Sequence, residues 1–126
     1  MAQYIRIYYP NGILKQEYYS INNMMQGKSI GYNYINDNLH TYTLDYINSK
    51  VNGQTKSFYE NGQILMKTIY INDLAEGEDY KYWKNGNVSV SLNYKNGKYD
   101  GEMKKYNLEG KLFKIQTYID GIPKEN

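Results

Sequence analysis

The chain has 126 residues, no Cys, one His and a formal net charge of +2 at pH 7, and this length fits one domain. The absence of Cys excludes a disulfide framework and a thiol nucleophile, and a single His excludes a conventional zinc finger. The small net charge offers little attraction to phosphate or to a membrane surface. Aromatic rings are abundant, with 17 Tyr, and they supply apolar area that a folded chain can bury.

The first elements along the chain are two runs of strand-forming residues joined by the turn signal Pro10-Asn11-Gly12. Aromatic and β-branched residues dominate both runs, and no helical spacing is present. The segment from Met1 to Gly27 therefore predicts one β-hairpin.

The same arrangement returns through the rest of the chain at steps of about 24 residues. Turn glycines recur at Gly62, Gly86 and Gly110, and a second glycine series closes the units at Gly27, Gly53, Gly77 and Gly101. Segment 28–53 lacks the turn glycine, and the spacing before Gly53 puts Asn38 in that place. We predict a single domain of five hairpin units, at about 1–27, 28–53, 54–77, 78–101 and 102–126.

The loop length follows from which side chains share a face. A three-residue loop ending in a left-handed glycine places the aromatic residue four before each turn glycine opposite the residue two after it. The resulting pairs are apolar in four of the five units: Tyr8 with Leu14, Phe58 with Ile64, Tyr82 with Val88 and Tyr106 with Leu112. We predict this loop rather than the two-residue alternative.

Alternation along the strands then predicts two faces. One face would carry the pairs above together with Met66, Val90, Leu92 and a ladder of Tyr46, Tyr70, Tyr94 and Tyr118. The opposite face would carry Tyr9, Ile35, Tyr59 and Trp83 on one strand and Ile21, Ile47, Ile71 and Ile119 on the other. A single-layer sheet cannot bury both faces unless it curls, dimerises or receives a partner. Lysine stems covering the second face are an equally open alternative.

The units resemble MORN-repeat variants, in the form common in bacterial antitoxin-like proteins. The segment YWKNGNVSVSLNYKNGKYDGEMKKY shows the pattern best, and units one and three to five share it, whereas unit two is degenerate. The resemblance implies an all-β fold in which tandem β-hairpins form one elongated, twisted antiparallel sheet. It also implies an association with protein assembly, lipid contact or toxin neutralisation.

No residue set predicts catalysis, a metal site or a cofactor. His40 is the only near-neutral base, and it stands where other units have Leu, Ile or Val. Asn72-Asp73 and Asn36-Asp37-Asn38 lack EF-hand spacing and are typical turn formers. Gly27-Lys28-Ser29 lacks the first glycine of a phosphate-binding loop. We therefore expect a protein that is not an enzyme.

Nucleic acid is an improbable partner because acids nearly equal lysines and the chain has one Arg. A lipid or anionic surface is a weak alternative, since no cluster of four basic residues is present. The codon preferences behind the Tyr, Asn, Lys and Ile content indicate a low-GC bacterium or a large DNA virus. We expect a cytoplasmic location, or the host cytoplasm if the protein is viral.

We predict a non-enzymatic scaffold or protein-binding module that uses an aromatic and aliphatic sheet face. Tyr9, Tyr59 and Trp83 are the candidate contact residues, and the partner is either another protein or a second copy of the chain. The alternative is an antitoxin-like inhibitor that occludes a partner enzyme.

Overall fold

The structure, a computed structural model, describes residues 1–125. Within this range there is no helix, and all strands belong to one open antiparallel sheet, which confirms the predicted all-β hairpin fold. The strands are β1 Ala2–Tyr8, β2 Leu14–Ile21, β3 Met24–Ile35, β4 Asn38–Ile47, β5 Lys50–Val51, β6 Gly53–Phe58, β7 Ile64–Ile71, β8 Leu74–Ala75, β9 Gly77–Tyr82, β10 Val88–Lys95, β11 Lys98–Tyr99, β12 Gly101–Tyr106, β13 Leu112–Ile119 and β14 Ile122–Lys124.

The strands follow one another across the sheet in chain order, without a crossover. The order is β1-β2-β3-β4-β6-β7-β9-β10-β12-β13-β14, and the two-residue strands β5, β8 and β11 pair with the strand before them. Each inner hairpin is therefore bonded to the hairpin that precedes it and to the one that follows it. This local topology makes the molecule an array of neighbouring units.

Four hairpins have the predicted three-residue loop. The expected pairs Tyr8–Leu14, Phe58–Ile64, Tyr82–Val88 and Tyr106–Leu112 are all present. The loop glycines have φ between 87° and 92°, which is the left-handed region that favours glycine. In the loop of unit three, the amide of Gly62 donates to the carbonyl of Tyr59 at 2.9 Å.

Each of the five hairpins is followed by a two-residue turn in which both residues have positive φ, as in Asn72 at 47° and Asp73 at 70°. Such turns match the twist of the flanking strands, and Asn, Asp and Gly tolerate them best. The five turns are Asn22-Asn23, Asn48-Ser49, Asn72-Asp73, Asn96-Gly97 and Asp120-Gly121. The Asn-Asp pairs thus act as turn formers, as the sequence predicts.

The hairpin of unit two differs from the prediction. Its turn is Asn36-Asp37, with φ of 50° and 64°, and Asn38 is the first residue of β4, paired with Ile35. The assignment of Asn38 to the turn-glycine position was therefore wrong. A two-residue Asn-Asp turn satisfies the strand twist by itself, so no third loop residue is needed.

The prediction of the faces was also wrong in one respect. Phe58 pairs with Ile64, but its neighbour Ser57 pairs with Met66, so a β-bulge interrupts the alternation at Leu65. A bulge places two residues opposite one and reverses the facing of the residues after it. Met66 and Tyr70 therefore lie on the face opposite to Phe58 and Ile64, and the equivalent bulge in unit four separates Val90 from Val88.

The core consists of short side chains on one face that lie under longer ones from neighbouring strands. The residues buried on this face are Ser20, Ser29, Thr55, Thr68, Ala75, Asp79 and Leu92. At one point a glycine is required, because a Cβ at Gly31 would lie 1.9 Å from Cζ of Tyr42. We call this side of the sheet the buried face and the other side the open face.

Candidate binding surface

The predicted contact residues Tyr9, Tyr59 and Trp83 are all half-buried. Each follows the last residue of the first strand in its unit and lies at the start of the three-residue loop. Their amides are bonded within the loop, as in the 2.8 Å bond from the Trp83 amide to the Asn87 carbonyl. Their rings lean toward the next unit rather than standing free in solvent.

Each of the three side chains donates a hydrogen bond to a backbone carbonyl of the following unit. Tyr9 Oη donates to the Tyr32 carbonyl at 2.8 Å, and Tyr59 Oη donates to the Tyr82 carbonyl at 2.5 Å. Trp83 Nε1 donates to the Tyr106 carbonyl at 3.2 Å. These residues thus stabilise the contact between units, and their role in binding a partner stays a prediction.

His40 provides the same contact in unit two. Its Nδ1 lies 3.2 Å from the carbonyl oxygen of Phe58, the residue that corresponds to Tyr82 and Tyr106 in the later units. The ring must carry its proton on Nδ1 to donate this bond. His40 Nε2 lies 3.5 Å from Glu60. Leu39, and not His40, lies opposite Tyr34, whereas His40 pairs with Asn33, so the prediction that His40 stands at the aliphatic position was wrong. His40 instead replaces the donor that Ile35 cannot provide.

Charged side chains surround the Tyr59 ring. Lys84 Nζ lies 5.8 Å from the ring centroid and forms a hydrogen bond with Glu60, which lowers the pKa of the Glu60 carboxyl. Burial raises the pKa of the Tyr59 hydroxyl. The hydroxyl thus remains a neutral donor at physiological pH.

The open face carries a different set of side chains, beside the five two-residue turns that follow the hairpins. The residue before each turn pairs directly with the residue after it. We call these ten positions the turn-edge row: Ile21, Met24, Ile47, Lys50, Ile71, Leu74, Lys95, Lys98, Ile119 and Ile122. The seven apolar members are between 41% and 57% exposed. They include the four isoleucines that the sequence assigned to the second face.

Backbone hydrogen bonds hold consecutive turns together and make the row continuous. The amide of Asp73 donates to the carbonyl of Val51 at 2.9 Å, and the amide of Gly97 donates to that of Ala75 at 2.9 Å. Leu74 Cδ2 comes within 3.1 Å of the Cβ position of Gly97. Equivalent bonds run from the Ser49 amide to the Met25 carbonyl and from the Gly121 amide to the Tyr99 carbonyl, so that the turns are connected across the whole sheet.

Met24, Leu74 and Ile122 belong to this surface but were not predicted as members of the second face. Each directly follows the turn dipeptide, so a two-residue turn at Asn72-Asp73 already implies that Leu74 lies opposite Ile71. The role of His40 had no signal of this kind, because it depends on where the carbonyl of Phe58 lies.

The open face also has a polar groove of about 590 Å³. Its floor comes from Ser91 and Asn93 on β10, and its sides include Glu78 and Glu102 on the neighbouring strands. Tyr80 Oη donates to Glu78 at 2.8 Å. Residues 1–125 contain no group of three or more His, Asp or Glu arranged to hold a metal ion. In the same part of the chain, no helix is long and apolar enough to cross a membrane.

The fold and this surface define a class: an open-sheet repeat protein built from tandem β-hairpins. The family model described as MORN repeat variant matches residues 5–22, 51–72, 75–96 and 99–120. These ranges cover more than half of the chain, which therefore belongs to the MORN-repeat variant family. Among proteins of curated function, none matches the chain.

The family matches also fit the irregularity of unit two. No match falls between residues 23 and 50, where the turn has two residues and His40 replaces the aromatic donor. MORN repeats are generally associated with protein or membrane binding, and the family is generally not catalytic.

Proposed function

We propose that the protein is a non-enzymatic scaffold that binds another protein through the turn-edge row. The observation that supports this proposal is the repetition of exposed isoleucines at one position in four of the five units, at Ile21, Ile47, Ile71 and Ile119. Contiguous exposed apolar surface marks interaction sites in soluble proteins. Turn residues have no need for apolar neighbours, so the recurrence of isoleucine beside four turns supports selection for contact.

The main contact surface is then the turn-edge row, and not Tyr9, Tyr59 and Trp83. Their polar atoms are bonded to the following unit, and binding through them would compete with the stacking of the units. An inhibitor of a partner enzyme would be one special case of this protein binding.

Photo-crosslinking tests the surface directly. The photo-reactive amino acid benzoylphenylalanine replaces Ile71 in one variant and Ile13 in a second one. Ile13 is also exposed, but it lies in the loop at the other end of the strands. We expect a discrete protein adduct from position 71 in lysate of the source cells, and little from position 13. An adduct with a second copy of the chain would show that the bound protein is the chain itself.

A variant separates contact from mere proximity. Ile47→Ser together with Ile119→Ser removes apolar area on both sides of position 71 without touching the buried face. We expect the adduct yield at position 71 to fall at least about fivefold, because loss of two apolar anchors weakens binding. Equal yields at positions 71 and 13, or a yield indifferent to the two Ser substitutions, would contradict the proposed function.

A further inference from the structure

We infer that the turn-edge row binds an extended protein segment in which a carboxylate is flanked by apolar side chains, the carboxylate lying against Lys95 and Lys98. This inference rests on the proposed function and specifies the chemistry of the partner.

The first observation is an uncompensated pair of like charges. Lys95 and Lys98 are directly opposite each other in the sheet, and both are exposed. Like charges in directly opposed positions destabilise a sheet. The ion pairs found in residues 1–125 are Arg6–Glu17, His40–Glu60 and Lys84–Glu60, so neither lysine has one.

Two acids beside the neighbouring turns already accept hydrogen bonds from backbone amides. Glu76 Oε1 accepts from the amide of Asn96 at 2.6 Å, and Asp100 Oδ1 accepts from the amide of Asp120 at 3.4 Å. Both carboxylates are thus bound to backbone amides of the turns. Neither carboxylate forms an ion pair with Lys95 or Lys98, so both lysines can bind a carboxylate of a partner.

The flanks of the lysine pair are apolar on both sides. Ile71 and Leu74 precede the pair across the sheet, and Ile119 and Ile122 follow it, all of them exposed. A complementary segment needs apolar side chains on both sides of its carboxylate. Such alternation distinguishes the expected partner from a uniformly acidic chain.

The spacing of the units favours an extended segment. Two strands per unit at about 4.8 Å each give about 9.6 Å between equivalent positions. A polyproline II segment rises about 3.1 Å per residue with three residues per turn, so every third side chain returns to the same side after about 9.3 Å. Opposite Ile47, Ile71, Lys95 and Ile119, the expected pattern is apolar-x-x-apolar-x-x-acidic-x-x-apolar.

The twist of the sheet favours a segment over a flat lipid surface. Adjacent strands rotate by about 20–25°, which gives roughly 40–50° per two-strand unit. The row therefore winds around the sheet, and a flat bilayer would reach only one or two units at once. An extended segment can follow the winding.

Three labelled peptides provide the test. The probe is Leu-Ser-Pro-Leu-Ser-Pro-Glu-Ser-Pro-Leu-Ser-Pro, and the two comparison peptides carry Lys or Ser in place of Glu. Fluorescence anisotropy measures their binding to the full chain at low and at physiological salt. We expect the Glu peptide to bind at least about tenfold more tightly than the Lys peptide, with the Ser peptide between them, and the difference to shrink as salt increases.

Charge reversal in the protein tests the same contact from the side of the two lysines. In the double variant Lys95→Glu and Lys98→Glu, we expect the preference to reverse in favour of the Lys peptide. The matched control is Lys111→Glu with Lys114→Glu, two exposed lysines of unit five at the other end of its strand, which should leave the preference unchanged.

Three outcomes would overturn the inference. They are equal binding of all three peptides, no binding at millimolar peptide, and binding confined to vesicles of phosphatidylserine and phosphatidylcholine. The crosslink from position 71 does not depend on charge, so an adduct there together with failure of the peptides would remove the inference and retain the proposed function. Loss of the position-71 adduct would remove the proposed function itself.

Discussion

The hairpin of β3 and β4 and the hairpin of β6 and β7 form the same kind of unit in different ways. The first closes with the two-residue turn Asn36-Asp37 and keeps an unbroken register from Gly27–Tyr46 to Ile35–Asn38. The second closes with a three-residue loop and has a bulge between Ser57 and Phe58 and their partners. Their turns, strand lengths and registers differ, yet both occupy equivalent places in the sheet.

The feature that the two hairpins share is a side-chain donor to the next unit. His40 contacts the Phe58 carbonyl and Tyr59 contacts the Tyr82 carbonyl, although His40 lies in the second strand of its hairpin and Tyr59 directly follows the first strand of its own. The repeat therefore constrains the bond between units more strongly than it constrains the turn. Substitutions at single positions test this conclusion, starting from the largest expected effect.

Trp83→Ala removes both a donor and a large half-buried ring from a regular unit. Truncating a buried aromatic to Ala typically costs 3–5 kcal/mol; because Trp83 is half-buried, we expect about 3 kcal/mol of unfolding free energy, measured by urea denaturation. Trp83→Tyr keeps the donor type found at Tyr59 and should recover most of the loss. A cost below about 0.5 kcal/mol for Trp83→Ala would show that Trp83 does not stabilise the contact between units and is available at the surface.

Gly86→Val tests the loop that distinguishes regular units from unit two. Gly86 has a φ of 92°, and a β-branched residue there is strained by about 1–3 kcal/mol. We expect a loss of about 2 kcal/mol in thermal or chemical denaturation, whereas Gly86→Asn should cost less because Asn tolerates left-handed conformations. Asn38→Gly, at a regular strand position, should also destabilise, since glycine weakens strands.

His40→Phe tests whether the irregular hairpin depends on its donor. The substitution keeps an aromatic ring of similar size but leaves the carbonyl of Phe58 without this partner. We expect a loss of about 1 kcal/mol, the typical net value of one hydrogen bond. Hydrogen exchange of the β4 and β6 amides would show whether the loss is local. Protection that is unchanged in β4 and β6 would contradict the proposed role of His40.

The smallest expected effect concerns one position on the buried face, where unit two has Ser29, unit three Thr55 and unit four Asp79. Asp79 is 2% exposed, and although Thr68 Oγ1 donates to Oδ2, Oδ1 has no hydrogen-bond partner within residues 1–125. Burial raises the pKa of this carboxyl. The folded state therefore holds the proton more tightly, and the stability that this provides is present at low pH and is lost as pH rises through the folded pKa.

Asp79→Thr should consequently stabilise the protein at neutral pH, by about 1 kcal/mol, because it removes an unsatisfied buried charge. The gain should shrink as pH falls through the raised folded pKa, and it should be smallest below the pKa of an unfolded Asp, about 3.9. Denaturation curves at several pH values measure it, with Thr55→Asp as the reciprocal variant, which should destabilise at neutral pH. A gain that is independent of pH would show that the ionisation of Asp79 is not its cause.

Much of the architecture could be predicted from residue spacing, because turn residues act locally. The pairing of Phe58 with Ile64 follows from the position of Gly62 and from the apolar character of both partners. Asn38 was misplaced because the glycine spacing was extended to a hairpin whose Asn36-Asp37 turn obeys another rule. Local dipeptide chemistry was the better guide in that unit.

The facing of side chains beyond each loop could not be predicted by alternation. Met66 changes sides because of a bulge at Leu65, and a bulge depends on hydrogen bonds between strands rather than on residue type. In the same way, the half-buried state of Tyr59 depends on the carbonyl of Tyr82 in the next unit. The isoleucines beside the turns follow these bulges, so Ile71 lies on the same face as Phe58 and Ile64 and not on the opposite face, as alternation predicted.

The short reach of the bonds between units has a consequence for how the chain acquires its structure. Within residues 1–125, the side-chain and turn hydrogen bonds extend no further than 24 positions along the chain, the separation of Ser49 and Met25. Proteins whose contacts are local in sequence close small loops and fold faster than other β proteins of their size. Each hairpin can therefore pair with the hairpin that has already formed while the chain is still emerging from the ribosome.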